Sequence, residues 1–139
     1  MTENETKAKS ESTVFDISDF DMSKSDEGEV LELENPQTGA PMGIKITLLG
    51  TDSKAYQKQV RKNNDRRLRK RKMKLTAAEL ETENIELLAV ITKGWDGMVE
   101  NKQPVEFTVQ NVRRIYRDYL WIKEQVDEFC GDRGNFLGE

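Results

Sequence analysis

The chain has 139 residues, of which 35% are hydrophobic and 35% are charged, and its formal net charge is −4. Soluble domains average about 45–50% apolar and about 25% charged residues, so this composition predicts one domain with a flexible tail. Histidine is absent and Cys130 is the one cysteine, which excludes a disulfide, a thiolate zinc site and histidine-based catalysis or metal binding.

The sequence also lacks the signals of export and membrane insertion. Its apolar stretches are far shorter than the ~20 residues that cross a bilayer, and residues 1–12 are polar, without the apolar region of a signal peptide. A lone cysteine is typical of a reducing cytoplasm. We therefore expect a soluble intracellular protein with no membrane partner.

Charge is distributed unevenly along the chain. Residues 1–34 contain 11 acidic and 3 basic residues, residues 51–74 contain 2 acidic and 11 basic residues, and residues 75–139 contain 13 acidic and 7 basic residues. The small net charge therefore conceals a strongly basic segment between two acidic ones.

Residues 1–13 are predicted to be a disordered acidic tail, because Ala8 is their one apolar residue after the initial methionine. The apolar residues that follow, from Val14 to Phe20, are expected to dock as a short extended piece. This piece is either a partner-binding arm or a tail that covers an edge of the core, and we prefer the second interpretation.

Alternating apolar residues predict a β-hairpin over residues 29–50. Leu31 and Leu33 share one face of the first run, and Ile44, Ile46 and Leu48 share one face of the second. Residues 35–41 between them contain prolines and a glycine that allow the chain to reverse. A lone hairpin is marginal in water, so it must pack on the helices.

Residues 51–74 are predicted to form a basic helix that begins at the cluster Thr51-Asp52-Ser53. Its apolar stripe is thin, consisting of Tyr56, Val60 and Leu68, which favours a solvated or partner-bound helix. The basic run 66–72 could meet phosphates or an acidic partner, or be a solvated face balanced by the acidic N-terminal third. Overall acidity and the shortage of aromatics argue against nucleic acid.

Residues 76–137 are predicted to form a helical core. A capping box at Thr76–Glu79 opens a helix with one apolar face that ends at Gly94 and Gly97; that face carries Leu80, Leu87, Leu88, Ile91 and Trp95. A polar loop follows from residue 96 to 103. Thr108 then caps a helix that carries Val112, Tyr116 and Tyr119 and runs to about Leu120.

A last helix is predicted from Ile122 to about Phe129, with Gly131 stopping it, and it is either separate from the preceding helix or one bent helix with it. Trp95, Trp121 and Cys130 are interpreted as core residues. The predicted fold is α+β, mostly α: the tail 1–13, then a single domain over 14–139 with one β-hairpin and about four helices.

No catalytic, cofactor-binding or metal-ligating residue is predicted, and we expect a protein that is not an enzyme. The acidic residues of the capped helix, Glu79, Glu81, Glu83 and Glu86, are expected on an exposed face. Partner-binding residues are predicted on the basic helix and on the apolar faces of two later helices: Arg61, Arg66, Arg67, Arg69 and Lys70; Leu87, Leu88 and Ile91; Tyr116 and Tyr119.

An ordered set of residues over about 29–137 resembles the tail assembly chaperones of long-tailed (siphovirus-type) bacteriophages. In the first part it reads Leu33-Glu34-Asn35-Pro36-x-Thr38-Gly39-x-Pro41-x-Gly43 and Ile46-Thr47-Leu48-Leu49-Gly50-x-Asp52-Ser53-x-x-Tyr56. In the second part it reads Trp95-x-Gly97, Val105-x-Phe107-Thr108-x-x-Asn111-Val112, Trp121-Ile122-x-x-Gln125-Val126 and Arg133-x-Asn135-Phe136-Leu137.

The resemblance implies a non-catalytic role. Such chaperones bind the long hydrophobic tape-measure protein and keep it soluble while tail-tube protein polymerises around it. They act in the host bacterial cytoplasm and are absent from the mature virion; a homo-oligomer is compatible with this role. Two other functions stay open: a structural tail or connector component of the virion, and a nucleic-acid-binding regulator that uses the basic helix over residues 54–74.

Overall fold

The fold is α+β and mostly helical, as predicted. The computed structural model describes residues 14–71 and 74–138, so the prediction for residues 1–13 lies outside the described part. In chain order the elements are α1 (Lys24–Glu27), β1 (Glu29–Glu34), β2 (Pro41–Leu48), α2 (Lys54–Arg69), α3 (Ala77–Val90), β3 (Thr92–Asp96), β4 (Val99–Glu100), β5 (Gln103–Pro104), α4 (Val109–Asp118) and α5 (Leu120–Gly131). Short 3-10 helices occupy Ile17–Asp19 and Arg133–Phe136.

The predicted hairpin is confirmed and is part of a larger sheet. β1 and β2 pair antiparallel, with Leu31 opposite Ile46, and β3 pairs antiparallel with the other edge of β2, placing Trp95 opposite Ile46. The prediction that one helix runs as far as Trp95 is therefore wrong. Leu88, Ile91 and Trp95 fit a helical spacing, but pairing with the free edge of β2 captures residues 92–96 as a strand, an outcome that helical periodicity cannot reveal.

The polar loop predicted over residues 96–103 also contains regular structure. β4 and β5 form a hairpin with a two-residue turn. The turn residues Asn101 and Lys102 both have positive φ, 52° and 67°. This left-handed pair matches the right-handed twist of the flanking strands. Residues 76–137 were predicted to form a helical core, but the segment also contains three strands, β3, β4 and β5.

The predicted helix starts are confirmed. The Ser53 hydroxyl accepts a hydrogen bond from Tyr56 N at 3.2 Å, and the Thr108 hydroxyl accepts one from Asn111 N at 3.1 Å. The capping box is complete, since Thr76 N also donates to the Glu79 carboxylate at 2.9 Å. The basic helix is shorter than predicted, because α2 ends at Arg69.

α4 and α5 are two helices rather than one bent helix. Tyr119 lies between them with φ −122° and ψ 83°, outside the helical region, and serves as the C-cap of α4 and the N-cap of α5. Its N–H still donates to Ile115 O at 2.9 Å. The break at Tyr119 sets the direction of α5 and brings Trp121 beside β2 and β4.

The core lies between one face of the sheet and helices α3, α4 and α5. Its most completely buried members come from all these elements: Leu33, Ile46, Leu48, Leu88, Ile91, Val112, Ile115, Tyr116, Val126 and Cys130. The Thr92 hydroxyl donates to Leu88 O at 2.7 Å, so its contact of 2.7 Å with the Tyr116 hydroxyl requires Tyr116 to be the donor. Cys130 is a core residue, as predicted; Trp95 and Trp121 are half-buried against the core.

Residues 14–20 do not pack on the core, which corrects the prediction that they dock as an extended piece. Ile17–Asp19 form a 3-10 helix, and Asp16 accepts a hydrogen bond from Ser18 N at 2.9 Å. Val14, Phe15, Ile17 and Phe20 all remain exposed. A local cap, rather than apolar contact with the domain, therefore sets the conformation of this segment.

Candidate partner-binding surfaces

The predicted basic face of α2 is partly occupied by the acidic face of α3. Arg66 contacts the Glu86 carboxylate at 3.2 Å, and Arg67 forms a close ion pair with Glu83. Glu83 and Glu86 were expected on an exposed face, but this pairing turns them toward α2. Arg66 and Arg67 are therefore structural residues of the α2–α3 contact.

The other predicted basic residues remain in solvent. Arg61, Arg69 and Lys70 are exposed, and no hydrogen bond or ion pair of their side chains occurs in the described part of the chain. Lys70 also lines the cleft of about 300 Å³ between α2 and α3, together with Leu75 and Ala78. These cations are free to meet an acidic group of another molecule.

Three of the five predicted apolar contact residues are not accessible. Leu88, Ile91 and Tyr116 are 1%, 0% and 0% exposed, which corrects their assignment to a binding surface, because a closed core cannot receive a partner without unfolding. Burial raises the pKa of Tyr116 far above its usual value. Leu87 is half-buried beside an open groove that also contains Leu80, and Tyr119 is half-buried at a pocket.

That pocket, called here the apolar pocket, is the site with the clearest binding geometry. It has a volume of about 210 Å³ and lies where β2, β4 and the α4–α5 break meet. Its lining is almost entirely apolar: Met42, Ile44, Met98, Val99, Glu100, Asn101, Ile115, Tyr119, Trp121 and Ile122. Met98, Ile115 and Ile122 are buried, whereas Met42 and Val99 are 38% and 56% exposed.

The one charged group in the lining, Glu100, is held by two partners. Arg114 Nη1 donates to Glu100 Oε2 at 3.0 Å and Arg114 Nη2 contacts Oε1 at 2.9 Å, while the Tyr119 hydroxyl donates to Oε2 at 2.6 Å. The hydrogen bonds from Arg114 and Tyr119 hold the pKa of Glu100 below its ordinary value. The arrangement holds the Tyr119 hydroxyl and satisfies both oxygens of the Glu100 carboxylate.

A close backbone approach also shapes the pocket. Gly97 has φ +78°, and a Cβ atom added there would lie 2.8 Å from the carbonyl oxygen of Gly43. Any larger residue at position 97 would therefore push the segment before β4 away from β2. Met42 and Met98, which flank these glycines, depend on this approach for their position.

Sequence reasoning assigned only Tyr119 of this lining to partner binding. Trp121 was interpreted as core, Met98 and Val99 fell within a supposed loop, and Met42 was given no role. One usable signal was the pair Asn101-Lys102, which lies between Val99 and Val105. Two polar residues between such positions are compatible with the turn of a hairpin. The meeting of β2 with the α4–α5 break is a tertiary event, so the pocket itself has no local sequence signal.

The arrangement of the apolar pocket suits the binding of an apolar side chain. Methionine side chains adapt their shape to different ligands and are common at surfaces that accept varied partners. In the described part of the chain, no three His, Cys, Asp or Glu residues form a group that could hold a metal ion. Over the same residues, no helix has the length and apolar character needed to cross a membrane.

Comparison with known proteins adds no relative. No protein-family model, curated protein sequence or solved structure matches this chain.

Proposed function

We propose that this protein is a phage tail assembly chaperone that acts by binding and not by catalysis. It binds the tape-measure protein of a siphovirus-type phage and promotes assembly of the tail-tube protein around it, in the cytoplasm of the host bacterium. The identity of the partner is inferred from the ordered set of residues over about 29–137 that resembles tail assembly chaperones. The observation that carries the binding mode is the apolar pocket with its exposed rim.

The pocket supports this function because a long helical tape-measure protein exposes apolar side chains until the tube surrounds it. A pocket of about 210 Å³ with a buried floor and a partly exposed rim can take one such side chain out of water. Each large apolar side chain buried in this way contributes about 1.5–3 kcal/mol. Repeated, weak contacts of this size hold a partner without trapping it.

The highly charged remainder of the surface supports the second requirement of a chaperone. With 35% charged residues, the protein keeps a complex of chaperone and apolar partner in solution. Arg66 and Arg67 are paired with Glu83 and Glu86, which withdraws two cations of the basic run 66–72 from contact with phosphates. This favours a protein partner over nucleic acid.

The main test is co-expression with the tape-measure protein. Val99→Asp places a charge at the rim of the pocket, and Val30→Asp is the matched control, because Val30 on β1 is 55% exposed and Val99 is 56% exposed. We expect wild type and the Val30 variant to keep the tape-measure protein soluble, and the Val99 variant to lose that effect. Equal solubility with both variants would contradict use of the pocket.

Two further measurements separate the proposed function from its alternatives. Mass spectrometry of purified virions is expected to find no stoichiometric amount of this protein; its presence there would identify a structural tail or connector component. Retardation of DNA at low salt that disappears steeply as salt rises would identify a nucleic-acid-binding regulator. We expect no retardation.

A further inference from the structure

α3 packs against the core over its second half and is open to solvent over its first. Ile85 and Leu88 are buried, whereas Leu80 is 53% exposed. Beside the open half lies a groove of about 620 Å³, called here the α3 groove, which Lys123 of α5 also lines. α3 contributes a stripe of residues spaced by three, four and three positions and about 15 Å long: Ala77, Leu80, Asn84 and Leu87.

The first turn of α5 separates the α3 groove from the apolar pocket. Lys123 lines the groove, and Trp121 and Ile122 line the pocket. Because successive residues advance by about 100° around a helix, Leu120 lies between Lys123 and Trp121 on the solvent side, where it is 52% exposed. Leu120 is therefore an apolar ridge between two recesses that lie one helix width apart, about 10–12 Å.

Folding of the domain does not account for this apolar path. Leu80, Leu120 and Val99 are 53%, 52% and 56% exposed, so each leaves about half of its surface in water. Single exposed apolar residues are ordinary, but these three follow one path from the α3 groove, over the ridge, to the rim of the apolar pocket. A path of this kind marks a surface that another molecule covers.

The α3 groove selects a helical partner segment. All residues that line it belong to helices α2, α3 and α5, so it offers no free strand edge with which an extended segment could pair. A segment that lies in such a groove must satisfy its own backbone N–H and C=O groups, and an α-helix does so internally. On a helix, residues seven positions apart share a face and lie about 10.5 Å apart, which matches the separation of the two recesses.

Charge indicates which polar residues the partner helix carries. Lys123 lies on the path, and its ammonium group has no ion pair or hydrogen bond with any residue that the structure describes. Glu81 also lines the α3 groove, is exposed, and has no partner among the same residues. The other carboxylate of the groove, Glu83, is already paired with Arg67. The partner helix is therefore complementary when an acidic residue faces Lys123 and a basic residue faces Glu81.

We propose that the apolar pocket and the α3 groove bind one amphipathic helix of the tape-measure protein, which lies across Leu120. One apolar side chain of this helix enters the pocket, and a second, about seven residues away, covers Leu80 and Leu87. The inference rests on the proposed function and adds the conformation of the bound segment and the spacing of its anchors. Because both anchors belong to one helix, the second binds at little further cost in translational and rotational freedom. The two recesses together therefore hold the partner more tightly than the pocket alone.

Binding of the full chain to synthetic peptides tests the proposal. Overlapping peptides of about 25 residues cover the tape-measure protein, and each is long enough to hold both anchors in one helix. We expect Leu80→Asp and Leu120→Asp each to raise the Kd of the bound peptide at least about tenfold, as Val99→Asp does, because each places a charge on the apolar path. Val30→Asp is the matched control, since Val30 is 55% exposed and lines neither recess. An acidic residue at the first position of α5 suits the helix dipole, so Leu120→Asp is expected to keep its Tm.

The helical conformation and the charges are tested separately. Circular dichroism of the mixture should show more helix than the sum of its components. A peptide with proline between the two anchors should neither gain helix nor bind, unlike one with alanine at the same position, because proline breaks a helix interior. Lys123→Glu should raise the Kd about two- to fivefold, and more at low salt, whereas Lys93→Glu, which changes an exposed lysine of β3, should not.

The outcomes separate this inference from the proposed function. If co-expression leaves the tape-measure protein insoluble and no peptide binds, the proposed function is wrong and the inference falls with it. If a peptide binds and only Val99→Asp weakens its binding, the pocket acts alone, and the inference is wrong while the function stands. The inference is equally overturned if the bound peptide gains no helix, or if co-expression keeps the tape-measure protein soluble but no single peptide binds.

Discussion

α2 and α5 are both substantial helices, with 16 and 12 residues, but different forces hold them. α5 buries Ile122, Val126 and Cys130 in the core. α2 buries only Asn63, whose side-chain oxygen accepts hydrogen bonds from Gln59 and Arg66 at 2.9 Å each. Apart from Ala55 and Tyr56, which pack against the edge of the core at its start, α2 thus depends on polar contacts and ion pairs with α3, whereas α5 is part of the apolar core.

The comparison predicts two levels of stability within one small protein. Partly exposed ion pairs contribute about 0.2–1 kcal/mol each and weaken with salt, whereas a buried aliphatic side chain contributes about 1.5–3 kcal/mol. Local opening should therefore begin at α2, and the core should open only on global unfolding. The exposed cations Arg61 and Arg69 therefore lie on the helix that is expected to open first.

The largest effect is expected from Leu88→Ala, because Leu88 is 1% exposed at the centre of the core. Loss of the side chain leaves a cavity and should lower the free energy of unfolding by about 2–5 kcal/mol. Urea denaturation measures the change. Leu80→Ala on the same helix is the control: Leu80 is 53% exposed, so its truncation should cost far less. Equal losses would contradict the assignment of the core.

Alkaline pH should destabilise the apolar core through Cys130. Burial raises the pKa of this thiol from 9.0 to about 12, so the unfolded chain loses the proton first as pH rises above 9. The contribution of Cys130 to stability is constant below that pH and should fall by up to about 1.4 kcal/mol per pH unit between 9 and 12.

The control for this alkaline effect is Cys130→Ala, which should be less stable at pH 7 because it loses buried contacts, but should show a flatter profile between pH 9 and 10. Denaturant titrations across that interval provide the measurement. A profile as steep as that of wild type would show that another group is responsible.

Tyr116→Phe should have a smaller effect on the stability of the same apolar core. It removes the hydroxyl that donates to Thr92 at 2.7 Å and leaves the Thr92 oxygen without that donor in a buried setting. The expected loss is about 1–2 kcal/mol. Tyr119→Phe, at a partly exposed hydroxyl, should cost less by the same denaturation measurement; the reverse order would contradict the buried hydrogen bond.

The smallest effect is expected at the α2–α3 contact. Arg67→Met with Glu83→Gln in a double-mutant cycle should give a coupling free energy of about 0.3–1 kcal/mol that decreases with salt. Hydrogen exchange should show faster opening of α2 amides, with unchanged protection in α5. If the core opened together with α2, the two helices would form one cooperative unit and the comparison would fail.

Local features of the fold could be predicted from sequence because their interactions span a few residues. Ser53, Thr76 and Thr108 each cap a helix through the backbone N–H three positions later. The candidate site was predicted less well. Only Tyr119 of the apolar-pocket lining was assigned to binding, because β2 and the α4–α5 break meet across a long sequence separation.

The sequence by itself determined the α+β class, the hairpin over β1 and β2, the helix starts and the core position of Cys130. Caps, alternation and helical spacing encode these features locally. Only the tertiary structure decided that residues 92–96 form a strand, that Arg66 and Arg67 face Glu86 and Glu83, and that Leu88, Ile91 and Tyr116 are closed to partners. Each of these outcomes depends on which distant surface is available for pairing, and local patterns do not contain that information.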